Sequence, residues 1–121
     1  GEITPADLPQ YWDELMQKYL NLSTKGNYKN GVMQDVHWTI GAFGYFPAYS
    51  LGRLIGAQIF AAFIKDHPQF FNEIKQGNFS TLVQWLKQHV YSQAAFLPTQ
   101  DLLVKITGET LDPSYFIRLF D

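Results

Sequence analysis

The chemistry available to this sequence centres on an Asp-x-His triplet formed by Asp35 and His37. On an extended backbone, side chains two residues apart share a face, so the carboxylate can reach the imidazole. The carboxylate would then fix the imidazole tautomer and raise its basicity, and such a pair can deliver a proton or stabilise a developing anion. The alternative is that Asp35 caps a turn and His37 is a hydrogen-bonded core residue. The spacing alone leaves both interpretations open.

Two tyrosines downstream add possible hydrogen-bond donors. Tyr45 and Tyr49 each carry a phenol that could donate to a carbonyl or a carboxylate, although most of the seven tyrosines are expected to pack. Arg53 lies one turn after Tyr49 and could hold an anionic group, but solvent exposure is the simpler interpretation.

Other local chemistries have no support in the sequence. The histidines are His37, His67 and His89; no H-E-x-x-H helix occurs and there is no cysteine, so an autonomous metal site is not expected. His67 is predicted at a helix terminus and His89 at a surface or boundary position. Nucleophile elbows, phosphate-binding loops and dinucleotide fingerprints are also missing.

The composition is that of a globular protein with one packed core. With 121 residues, of which 46% are apolar, the chain has material for one packed core, and we predict a single domain over residues 1–121. The net charge of -2 provides no basic footprint, so neither nucleic acid nor a membrane is expected as a partner. The lack of cysteine favours a cytoplasmic location. The most apolar stretch, residues 51–64, is too short for a bilayer and predicts a buried helix.

The elements that must position Asp35 and His37 are predicted to be all α-helical. Capping residues and helical periodicity indicate six helices and no convincing strand, over residues 4–20, 47–66, 69–76, 80–91, 99–107 and 112–120. Residues 31–47 are rich in glycine and aromatic residues and are predicted to be irregular backbone lining a cleft. Gly52 and Gly56 lie on one helix face, where another element is expected to pack.

The run Gly31-Val-Met-Gln-Asp-Val-His-Trp38 resembles the G-x-x-Q-D-x-H-W motif of the M32 family of metallocarboxypeptidases, the thermostable carboxypeptidase Taq type. The later runs Gly44-Tyr-Phe-Pro-Ala-Tyr-Ser-Leu-Gly52 with Ala57-Gln58, and Thr107-Gly-Glu-Thr-Leu-Asp-Pro113, also look like the C-terminal part of that family. The resemblance covers nearly the whole chain in the family's order.

The resemblance implies a mostly helical enzyme that removes single residues from peptide C-termini. It also implies a divalent metal, zinc or cobalt, held by the histidines of an H-E-x-x-H helix and a further glutamate. This sequence contains no such elements, so it is interpreted as the C-terminal segment of a longer carboxypeptidase. Alone it is expected to bind no catalytic metal and to cleave nothing. Its expected partners are peptide C-termini and the N-terminal part of the same enzyme, which as an intact protein is expected to be a homodimer.

In the intact enzyme, the resemblance suggests that His37, oriented by Asp35, donates to the tetrahedral oxyanion or to the substrate backbone. Gln34 and Tyr45 or Tyr49 would hold the peptide or its terminal carboxylate. Arg53 departs from the family pattern, where asparagine is common, and receives no family role. No metal ligand is assigned in this chain.

Two other functions remain open from the sequence. A non-enzymatic helical interaction module would keep the scaffold and lack H-E-x-x-H in the sequence upstream of Gly1. A stand-alone small-molecule binding domain would be a monomer with a closed pocket, whereas a segment of a larger enzyme would expose an apolar face.

Overall fold

The computed structural model describes residues 3–93 and 95–120, and all regular elements in these ranges are helical. The prediction of an all-α protein with six helices is confirmed. The helices are α1 (Leu8–Leu20), α2 (Pro47–Asp66), α3 (Phe70–Lys75), α4 (Ser80–His89), α5 (Thr99–Thr107) and α6 (Ser114–Ile117). Short 3-10 helices span Pro5–Asp7, Val36–Ile40 and Tyr91–Gln93.

The chain divides into two compact units, Gly1–Phe46 and Pro47–Asp121. Two compact units can belong to one domain, so the single-domain organisation stays a prediction. Within the described ranges, no helix is both long enough and apolar enough to cross a membrane.

The first unit is built on α1. The chain enters it through Thr4, whose backbone N–H and hydroxyl both donate to Asp7 Oδ2, at 2.8 and 2.7 Å. Pro5 then opens a 3-10 turn that leads into α1. The helix ends at Asn21, which adopts the left-handed conformation with a φ of 54°.

The segment 31–47 contains one short regular element. Five of its residues, Val36–Ile40, form a 3-10 helix, which the sequence did not predict within this irregular segment. The helix begins because the Asp35 carboxylate accepts the N–H of His37 at 2.9 Å and thereby pairs an amide that the first turn leaves without a carbonyl partner. It ends at Gly41, whose φ of 73° suits a residue without a Cβ.

The second unit is organised around an aromatic cluster. Phe63 of α2, Phe70 of α3 and Trp85 of α4 are almost fully buried. The ring of Phe63 lies edge-on to both partners, with centroids 4.8 Å from Phe70 and 5.5 Å from Trp85. This geometry adds to the stabilisation from burial and holds the two shorter helices on the C-terminal half of α2.

The two histidines outside the triplet belong to this cluster. His67 follows the end of α2, as predicted, and stacks on Phe63 at 4.8 Å. His89, the last residue of α4, packs on Trp85 at 4.6 Å and is partly buried, as expected for a boundary position. Their aromatic contacts give both residues a packing role.

Gln58 joins α2 to the turn that follows α5. Its side chain is 1% exposed. The Nε2 group donates to the Thr110 carbonyl at 3.0 Å, and Oε1 accepts from the Asp112 N–H at 2.9 Å. One buried amide therefore pairs both backbone groups of a loop 52 to 54 residues away.

Replacing Gln58 by Leu should lower the free energy of unfolding by about 2–4 kcal/mol, because two partly buried hydrogen bonds to the backbone are lost. Urea denaturation of the chain measures the difference. Gln84→Leu on the exposed side of α4 is the matched control and should change stability by less than about 0.5 kcal/mol. Equal effects of the two variants would contradict the structural role of Gln58.

Candidate functional site

The triplet residues Asp35 and His37 are in direct contact. Asp35 has an extended conformation, with φ of -75° and ψ of 106°, and stands at the start of the 3-10 helix. Its Oδ1 atom lies 2.9 Å from the backbone N of His37 and 2.7 Å from Nδ1 of the same residue. The contact on which the first interpretation depends and the turn cap on which the second depends occur together, because one oxygen accepts the His37 N–H and also faces Nδ1.

The pair is shielded from solvent, with side-chain exposures of 8% for Asp35 and 15% for His37. Desolvation alone would raise the pKa of the Asp35 carboxyl. The hydrogen bonds from the His37 backbone N–H and side chain, and the charge of that ring, outweigh desolvation and hold the pKa below its ordinary value. Asp35 is therefore ionised near neutral pH.

An ionised carboxylate only accepts hydrogen bonds, so Nδ1 of His37 carries the proton that faces Asp35. Nε2 is then the nitrogen whose role changes with protonation. It accepts in the neutral ring and donates in the imidazolium ring. The arrangement can thus either take up a proton or donate a hydrogen bond at one defined atom.

Two aromatic rings set the plane of the imidazole. The ring of Tyr45 lies 5.0 Å from that of His37 with a tilt of 32°, and the ring of Phe46 lies 5.7 Å away at 77°. Gly41 makes this possible by turning the chain back, and the Ala42 N–H donates to the His37 carbonyl at 2.9 Å. Rotation of the imidazole about its side-chain bonds is therefore restricted by both packing and hydrogen bonding.

Four of the five predicted site residues lie in the first unit, and contacts join three of these four, Asp35, His37 and Tyr45. Gln34 precedes Asp35 in the sequence and is exposed. Its backbone N–H donates to the Gly31 carbonyl at 3.1 Å. Tyr49 lies in the first turn of α2, in the second unit, with 52% of its surface exposed. Arg53, one turn further along α2, is also exposed.

Phe46 is a site residue that the sequence did not single out. Its contact with His37 depends on the turn at Gly41, which brings a residue nine positions later back to the imidazole. The signal in the sequence was indirect and consisted of glycines beside adjacent aromatic residues in an otherwise helical chain.

The described residues do not form a metal centre. Residues 3–93 and 95–120 contain no group of three or more histidine, cysteine, aspartate or glutamate side chains that could hold an ion. The Asp35–His37 pair supplies only two such side chains, and they bind each other.

Comparisons with known proteins agree with one another. The family model for carboxypeptidase Taq (M32) metallopeptidases matches residues 1–121. The chain is 35% identical over 117 residues to thermostable carboxypeptidase 1 of Pyrococcus furiosus, covering 97% of this chain and 23% of that protein. It is 37% identical over 121 residues to thermostable carboxypeptidase 1 of Thermus thermophilus, covering 100% of this chain and 24% of that protein.

A solved structure shows the same fold. Metallocarboxypeptidase 1 of Trypanosoma cruzi superimposes with a TM-score of 0.92 at 36% identity, over 99% of this chain and 25% of that one. The chain therefore spans about a quarter of the length of the relatives it matches.

The amide proton of His37 should report the ionisation of Asp35. Because the folded-state pKa of Asp35 is depressed, its contribution to stability is fully present above the ordinary value of 3.8 and is lost as the pH falls through the lower folded-state pKa. In an NMR titration of the chain, the His37 amide shift should move with a midpoint below 3.8. Asp35→Asn is the control and should abolish the transition; a midpoint at or above 3.8 would contradict the assigned hydrogen bonds.

Proposed function

Because this chain belongs to the M32 carboxypeptidases, we propose that it is the C-terminal portion of a longer metal-dependent carboxypeptidase and forms part of its substrate cleft. Such an enzyme hydrolyses the last peptide bond of a peptide. The observation that carries the proposal is the shielded Asp35–His37 contact within the run that resembles the family motif. It supplies a group that can donate to an oxygen of the substrate.

His37 is the proposed catalytic residue. With Nδ1 bonded to Asp35, the protonated ring presents a donor at Nε2, and the carboxylate lies against the positive charge that the ring then carries. A donor held before the reaction stabilises negative charge on a substrate oxygen without a reorganisation cost. Asp35 orients the ring, while Gln34 and Tyr45 or Tyr49 hold the peptide or its terminal carboxylate.

The family implies a metal in the intact enzyme, and we propose zinc or cobalt. The described residues do not fit a metal site, so its ligands would lie in the rest of the longer protein. The 121-residue chain is accordingly proposed to be inactive alone. A homodimer and a cytoplasmic location are further proposals for the intact protein.

Replacing His37 by Ala in the intact carboxypeptidase should lower kcat/KM for peptide substrates by about 100- to 1,000-fold, because the transition state loses a donor. His37→Gln keeps an N–H donor but exchanges no proton, so partial activity in this variant would point to hydrogen bonding as the main role. His89→Gln, outside the site, is the matched control and should leave kcat/KM unchanged. Unaltered kcat/KM in His37→Ala would overturn the proposal.

The exposed surface supports a larger protein around this chain. Large apolar side chains are exposed in each unit, with Ile40 and Phe43 at 75% in the first and Phe96 at 87% in the second. Exposed apolar side chains in such number are typical of a surface that another part of a protein covers. We propose that the remaining polypeptide of the intact enzyme covers this surface.

An apolar groove in the second unit is one place where that polypeptide would pack. Its volume is about 360 Å³, and it runs between α2 and α5. A Cβ at Gly52 would have nothing within 4 Å, so a neighbouring backbone can approach closely. The groove is lined by Ala48, Leu51, Gly52, Ile55, Thr99, Gln100, Leu103 and Leu111.

Leu51→Asp should affect the stability of the isolated chain and of the intact enzyme differently. In the chain, Leu51 is 47% exposed, and the variant should cost less than about 0.5 kcal/mol. In the intact enzyme the charge would be buried, so the free energy of unfolding should fall by at least about 2 kcal/mol. Gln84→Asp on α4 is the control and should behave alike in both proteins. Equal effects of Leu51→Asp in both proteins would contradict the proposed packing.

A further inference from the structure

We infer that Asp13 of α1 is a positioning residue for His37, because it anchors the start of the motif segment, residues 31–38, to the helix. The inference rests on the proposed role of His37 in substrate binding. Asp13 lies outside the motif segment and acts on the imidazole through the residues between them.

Asp13 clamps the loop that connects α1 to the motif segment. Its Oδ1 atom accepts hydrogen bonds from the backbone N–H of Thr24, from the Thr24 hydroxyl at 3.3 Å and from the Ser23 hydroxyl at 3.0 Å. The backbone hydrogen bond from Thr24 is the main reason that the pKa of Asp13 is lowered, so the clamp is charged at neutral pH.

The loop that Asp13 binds packs closely against Gly31, the first residue of the motif segment. Gly31 is buried, and a Cβ at this position would lie 2.8 Å from the carbonyl oxygen of Asn27 and 3.1 Å from Cβ of Thr24. Two further hydrogen bonds tie the segment to the loop, from the N–H groups of Gly31 and Met33 to the Tyr28 carbonyl, at 3.3 and 2.9 Å. A displacement of Thr24 is therefore passed on to Gly31.

The other end of the motif segment contacts Trp12, the residue next to Asp13 in α1. Trp12 meets Trp38 edge-on, with ring centroids 6.4 Å apart and planes at 90°. Asp35 and His37 thus lie on a short stretch of chain whose two ends are held by consecutive residues of α1. Because a misplacement of about 1 Å can cost about 100-fold in rate, this attachment bears on catalysis.

The experiment compares Asp13 variants of the intact carboxypeptidase at a temperature where all are folded. Asp13→Ala should lower kcat by at least about 10-fold with little change in KM, since His37 would be misplaced for the transition state. Asp13→Asn keeps an acceptor for the Thr24 N–H and should recover most of the loss. Glu14→Gln is the matched control, since the Glu14 side chain accepts a hydrogen bond from Gln10 on the exposed face of α1, and it should leave kcat unchanged.

A spectroscopic measurement separates positioning from general destabilisation. In enzyme labelled at histidine, the His37 amide signal should move in Asp13→Ala and return in Asp13→Asn. Gly31→Ala should move it in the presence of Asp13, because the new Cβ displaces the same contact. An unmoved His37 signal, or a loss of kcat that only follows the folded fraction, would overturn the inference. If His37→Ala itself leaves kcat/KM unchanged, the proposed function fails while the signal still decides the positioning.

Discussion

A single oxygen atom, Oδ1 of Asp35, connects the local fold of the first unit to its chemistry. It accepts the backbone N–H of His37 and also faces the imidazole Nδ1. The start of the 3-10 helix and the orientation of the ring are therefore one constraint. A substitution of Asp35 therefore affects both the cap of the 3-10 helix and the tautomer of His37. A substitution of His37 removes the imidazole but leaves its backbone amide in place.

The helices were predictable because proline and glycine residues mark where they begin and end. Pro47 opens α2, and the helix ends at Asp66, just before Pro68, as predicted. Helix α5 ends at Thr107, the predicted bound, and is followed by Gly108 with a φ of 80°, a conformation that favours glycine. The 3-10 helix escaped prediction because it depends on one side-chain cap and not on periodicity, and it is too short to leave a hydrophobic pattern.

The site was predictable only where its members are neighbours in the sequence. Asp35 and His37 are two residues apart, so their types and spacing suggested the contact that the structure contains. The edge of Phe46 against the imidazole depends on a reversal at Gly41, and the hold of α1 depends on contacts across 11 residues between Asp13 and Thr24. Such contacts follow from tertiary packing, for which one sequence carries no motif.

Several of the contacts that hold the imidazole come from residues of the first unit. Asp35 binds one ring nitrogen, and Tyr45 and Phe46 restrict the ring plane. Helix α1 contacts the end of the motif segment through Trp12 and Trp38. None of these contacts needs a bound metal ion, and the described residues contain no group of three or more histidine, cysteine, aspartate or glutamate side chains that could hold one. A proposed donor can therefore be positioned by one part of an enzyme while the metal is bound by another. The exposed apolar groove on α2 and α5 offers the surface through which two such parts would be kept in register.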